Sequence, residues 1–147
     1  MTTDELARDY FRRARVRRRV LDLLFAAGEY ADVVREAQEL VELTLKGMLR
    51  WAGLDPPRWH DVGEILLEQA GRLPAAVRPQ AARLAAISKR LRRERETAFY
   101  GEIDLVPGKS YDEAAARQAL ADADAVLAAL AGFDAPASGD GAPCRGD

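Results

Sequence analysis

A chain of 147 residues, 48% hydrophobic and 31% charged, suits one compact domain; its net charge of −2 argues against a protein wholly devoted to clamping a polyanion. The single cysteine, Cys144, excludes an internal disulfide and any cysteine-built zinc site. One histidine and no dense Asp/Glu motif leave neither a metal nor a cofactor to be expected.

Charge is unevenly placed. Seven arginines fall between Arg8 and Arg19, and a second basic cluster lies at residues 89–95, whereas residues 102–134 hold seven acidic groups against Lys109 and Arg117. This asymmetry allows a local anion site. The arginine total, 19 against three lysines beside 28 alanines, reads as a GC-rich coding bias, so the positions and not the number carry information.

The elements follow in chain order. The start MTTDELARDYF is acidic and has no apolar core of a signal segment, and no run approaches 18 uninterrupted apolar residues; a cytoplasmic protein with no membrane contact is expected. A first helix is predicted from about Asp4 to Ala27, closing at Gly28. The short link GEY then implies an antiparallel second helix. In it Tyr30, Val33, Val34, Ala37, Leu40, Val41, Thr44, Leu45, Met48 and Leu49 keep the i, i+3, i+4, i+7 spacing of one buried face. It closes near Gly53, before Pro56-Pro57. A third, shorter helix begins at Asp61, with Glu64 three residues on as in a capping box. The fourth runs from about Ala75 to Phe99. After the break GEIDLVPGKS, an alanine-rich fifth helix starts at Tyr111 or Asp112 and ends near Ala131. Residues 133–147, with little to bury, form a disordered tail. The expectation is an all-α, antiparallel four- to five-helix up-and-down bundle over residues 1–132. Because alanine-rich helices bury little area each, a second copy is expected to complete it as a homodimer.

Two arginines stand out at about 100° per residue. On the fourth helix Val77, Ala81, Leu84, Ile87, Leu91 and Ala98 share a face, and Arg95 falls within it; Arg93 points the opposite way, with Lys89 and Arg90 on the flanks. On the first helix Leu6, Tyr10, Ala14, Leu21 and Leu24 define the stripe, and Arg17 falls within it. An inward arginine needs a partner, because an unpaired buried charge costs several kcal/mol. The alternatives are an internal carboxylate such as Glu42, a stem that snorkels its charge out to water, or a phosphate bound in a cleft. Gln38, Glu42 and Lys46 form an i, i+4, i+8 row on the second helix, which either stabilises that helix or lines a cleft. Trp51 and Trp59 bracket a turn and are expected to plug one end of the bundle.

The order of these residues resembles the HEPN domain family (higher eukaryotes and prokaryotes nucleotide-binding). The resemblance rests on Gly28 and Tyr30, Ala37-Gln38, Glu42, Lys46, His60-Asp61, and then Arg95, Tyr100-Gly101, Pro107 and Tyr111. It covers roughly residues 4 to 131. It implies a dimeric helical bundle that binds nucleotide or RNA, often a metal-independent ribonuclease or toxin paired with a nucleotidyltransferase antitoxin. The catalytic signature in such relatives is Arg, four to six residues, then His. Here the matching spacing from Arg93 or Arg95 ends at Tyr100, and the sole histidine is His60. A tyrosine with pKa near 10 is a poor proton carrier at neutral pH. The resemblance therefore implies a binder in which Arg95 is the main contact and Tyr100 a secondary one, with Arg17 and the row Gln38, Glu42 and Lys46 beside them. Two other readings stay open: a purely structural interaction bundle, and an active ribonuclease using His60. For His60-Asp61 itself, the alternative is that Asp61 caps the third helix.

Overall fold

The computed structural model describes residues 3–58, 61–100 and 106–134, of which the side chains of 3, 95–97, 99, 100, 107, 109 and 134 fall outside the description. Every regular element among the described residues is helical, as the spacing predicts. Helices α1 (Thr3–Ala26) and α2 (Tyr30–Trp51) form a hairpin about Gly28. Gly28 holds φ at 76°, a left-handed value that costs glycine little. Its N–H donates to Phe25 O at 3.0 Å and that of Glu29 to Leu24 O at 3.0 Å, which satisfies the last carbonyls of α1.

Helix α2 is the hub. Its residues Val33, Val34, Ala37, Leu40, Val41, Leu45, Met48 and Leu49 are all buried. The remaining long helices, α1, α4 (Ala81–Tyr100) and α6 (Glu113–Ala128), each pack against it. The face predicted for the fourth helix is also the buried one: Ala81, Leu84, Ile87, Leu91 and Ala98 are all in the core, with Val77 just ahead of them. Helix α3 (Val62–Glu68) begins as expected at Asp61, whose carboxylate accepts the Gly63 N–H at 2.9 Å.

The fourth helix starts six residues later than its spacing predicts. A helix from Ala75 would place Pro79 one turn inside, where its missing N–H and its ring both oppose the ladder. The chain instead crosses Pro74 and Pro79 in turns, with a 3₁₀ segment at Arg78–Gln80, and only then enters α4. Within the glycine- and proline-rich break lies a one-turn helix, α5 (Pro107–Ser110), closed by Ser110 N–H to Val106 O at 3.0 Å. Asp112 then caps α6, accepting the Ala115 N–H at 2.9 Å. After α6 a last turn, α7 (Ala131–Asp134), carries Phe133 back onto the bundle. Its ring meets Phe11 at 5.3 Å and the edge of Trp51 at 5.2 Å. Phe133, grouped with the tail by composition, therefore packs with the helices, and Trp51 takes part in closing that end. Trp59 and residues 135–147 lie outside the described residues. No described helix is long and apolar enough to cross a membrane.

Candidate functional site

The inward arginine of α1 is Arg18, not Arg17. The buried line of this helix is Ala7, Phe11, Ala14 and Leu21, which keeps Ala14 and Leu21 of the expected stripe but has Ala7 and Phe11 in place of the half-buried Leu6 and Tyr10. Alanines at 7 and 14 are thin enough to let α2 approach, and Phe11 supplies the bulk. Arg18 extends that line and spans to α6: its Nε donates to Asp124 Oδ1 at 2.7 Å, and one Nη donates to Asp22 Oδ1 at 2.7 Å. The hydrogen bond that Arg18 donates to Asp124 pushes the guanidinium pKa upward, against the opposing effect of burial. Arg17 is half-buried, and no described hydrogen bond or ion pair reaches it.

The row on α2 is assembled as its spacing predicts. Gln38, 2% exposed, donates from Nε2 to Glu42 Oε2 at 2.9 Å. Lys46 Nζ lies 3.6 Å from Glu42 Oε1. Glu42 thus has two partners on its own helix, Gln38 and Lys46. Gln38 Oε1 is buried without a hydrogen-bond partner.

Arg95 and Tyr100 belong to the last two turns of α4, but their side chains lie outside the described residues, and His60 lies outside them entirely. The backbone around Arg95 is nevertheless informative. Leu91, four residues before, and Ala98, three after, are both buried.

Next to this stretch a cleft of about 230 Å³ opens between α4 and α6. Val34 of α2, Leu91, Ala115 and Ala119 give it apolar walls. Its polar lining comes from Arg90 and Glu94 on α4, and from Tyr111, Gln118 and Asp122. Asp122 is the centre of this group, with a side chain only 6% exposed. Its Oδ1 forms an ion pair with Arg90, at 2.5 Å from Nη2, and accepts from Gln118 Nε2 at 3.0 Å. Its Oδ2 is buried and accepts nothing. Arg90 covers it from outside with a side chain 44% exposed. The Tyr111 hydroxyl donates to Glu94 Oε2 at 2.9 Å.

The sequence reading did not single out Arg90, Asp122 or Glu94. A signal was present for one of them: Asp122 stands three residues after Ala119 and four before Val126, both buried, so it interrupts an apolar stripe. Arg90, read as a flanking cation, could be assigned only with α6 beside it. No group of three metal-binding side chains occurs among the described residues. Comparison with known families matches the HEPN domain over residues 7–132. No curated protein and no solved structure gives a significant match.

Proposed function

The chain belongs to the HEPN domain family, and from that membership we propose that it binds nucleotide or single-stranded RNA by its phosphate, with Arg95 as the main contact. The supporting observation is the register of α4, where Arg95 falls between two core residues, Leu91 and Ala98. An arginine in that register needs an anion, since an unpaired charge among core residues costs several kcal/mol. Glu42, the carboxylate first in view as its counter-ion, is already engaged by Gln38 and Lys46. A bound phosphate suits the planar donor fork of such a guanidinium. Tyr100 acts as a secondary contact, by hydrogen bond or by stacking. In this reading the row Gln38, Glu42 and Lys46 and Arg17 of α1 contribute further polar contacts to the ligand.

Hydrolysis is weak or absent in this reading. The Arg-to-His spacing of ribonuclease relatives ends here at Tyr100, and Asp61 beside His60 is occupied as the cap of α3. The setting we propose is a homodimer in a toxin–antitoxin-like pair with a nucleotidyltransferase, which rests on family likeness alone and is checked by copurifying the chain with the product of a neighbouring gene.

Arg95→Ala should weaken binding of a short single-stranded RNA by about 1.5–3 kcal/mol, the range for a charge-assisted hydrogen bond. The melting temperature should barely change. Arg93→Ala, on the exposed side of α4, is the control and should do neither. If Arg95→Ala destabilised the fold by about 3–5 kcal/mol while wild type bound no RNA, Arg95 would be the half of an internal pair and the binding reading would fall.

A further inference from the structure

The cleft between α4 and α6 holds a carboxylate that the fold leaves half satisfied. A side chain as buried as Asp122, with one oxygen holding an ion pair and a hydrogen bond and the other receiving none, is uncommon, because a buried acceptor without a donor costs free energy on folding. Glu94 adds a second acceptor at the mouth, since only its Oε2 is engaged by Tyr111. Arg90 spends Nη2 on Asp122 and keeps its other N–H groups for a ligand. The lining therefore offers carboxylate acceptors beside one guanidinium donor, between walls formed by Val34, Leu91 and the Tyr111 ring.

That combination suits a flat, largely apolar ring with a donor-rich edge, and it suits a phosphate poorly because two carboxylates face one cation. Size narrows the choice further. At about 230 Å³ the cleft is smaller than the roughly 300 Å³ at which pockets for drug-sized ligands begin, so it admits one ring system and not a whole nucleotide. Proteins that read single-stranded RNA take such splayed-out bases, stack them on aromatic side chains and bond their Watson–Crick edge. Among the four bases, guanine alone presents two adjacent donors, N1–H and N2–H, next to an acceptor, O6.

We propose that this cleft takes one base of the bound RNA and selects guanine, with Asp122 and Glu94 accepting from N1–H and N2–H and Arg90 donating to O6. The proposal rests on the phosphate-binding reading above, and places the base one turn of α4 from Arg95. Binding requires Arg90 to shift along the Asp122 carboxylate, which its half-exposed side chain permits.

The test measures calorimetric affinity of the full chain for four mononucleotides: GMP, AMP, UMP and IMP, the last being GMP without its 2-amino group. Wild type should prefer GMP over each of the others by about tenfold or more, the discrimination typical of one well-made base contact. Asp122→Asn and Glu94→Gln should each reduce the ratio of GMP to IMP affinity towards one. Glu94 is exposed, so its variant keeps the test valid if the buried Asp122 variant fails to fold. The ratio also guards against general damage, which lowers both affinities alike. Equal affinities across the four nucleotides, a preference for another base, or a ratio unchanged in both variants would each overturn base selection. If affinities were equal but fell in Arg95→Ala, base selection alone would be lost and phosphate binding would stand. If no nucleotide bound at all, both would be lost.

Discussion

Single residues in this bundle differ in worth according to what they leave behind when removed. Arg90 and Asp122 illustrate the asymmetry. Truncating Arg90 leaves a carboxylate only 6% exposed with Gln118 as its remaining donor. Arg90→Ala should therefore cost about 1–3 kcal/mol in urea unfolding, the penalty for a buried group stripped of its partner. Replacing both, as Arg90→Met with Asp122→Leu, should recover most of that loss, because an apolar pair needs no counter-charge. A double variant as unstable as the single one would show that the pair stabilises the fold in its own right. Arg17 and Arg18 make a second contrast between neighbours. Arg18 ties α1 to α6 through Asp124, so Arg18→Ala should lower stability by up to about 1 kcal/mol, the ceiling for a pair with an exposed partner. Arg17→Ala should stay within about 0.5 kcal/mol, as expected of a side chain with no partner among the described residues. The Arg18 pKa is pushed up, so its stabilisation is complete at every pH below its ordinary value and would fade only in strong alkali. Unfolding curves at pH 6 and pH 9 should therefore show the same difference between wild type and Arg18→Ala.

At the scale of elements, two glycines set how closely the helices lie. A Cβ on Gly63 would stand 2.9 Å from Ala85 Cα and 3.1 Å from Ala85 O, so α3 meets the backbone of α4 itself. Backbone cannot swing aside as a side chain can. Gly63→Ala should lower stability by about 1–3 kcal/mol, the usual cost of overpacking, even though alanine is the better helix former. On α2 a Cβ on Gly47 would approach Phe11 Cε1 to 2.7 Å. Phe11 is held in turn by Phe133, so Gly47→Ala should disturb the aromatic cluster and lower the melting temperature as well. Caps matter at the other end of the scale of cost. Asp112→Ala removes the acceptor for the Ala115 N–H and should cost about 1 kcal/mol, read as a shift in thermal melting.

For the whole molecule the open question is what covers α1. Val16, Val20 and Leu23 are spaced i, i+4, i+7 along it, and all are exposed, Leu23 at 70%. An apolar line on an outer helix is the kind of surface a second copy buries. The expected result is a dimer by light scattering at tens of micromolar, a range in which a standard-size interface stays associated. Val20→Asp combined with Leu23→Asp should yield a folded monomer with unchanged helix content. A wild-type monomer at that concentration would refute the homodimer.

The sequence by itself determined the helical class, the order of the long helices and the buried faces of α2 and α4, because those faces repeat with the helix period and contain few exceptions. It also located Asp61 as a cap, since capping is local chemistry over three residues. What it misjudged was rotation and register. The stripe expected on α1 shares Ala14 and Leu21 with the buried line but runs through Leu6 and Tyr10 where Ala7 and Phe11 are buried, because the apolar neighbours at 6–7 and 10–11 leave the rotation open by one position. The start of α4 was misplaced because core spacing continues through Val77 although Pro79 forbids the helix there. The cleft was beyond reach altogether. Arg90, Glu94, Tyr111 and Asp122 come from segments whose meeting depends on how α4 and α6 lean on α2, and neither helix alone shows that an exposed arginine of one covers a buried carboxylate of the other.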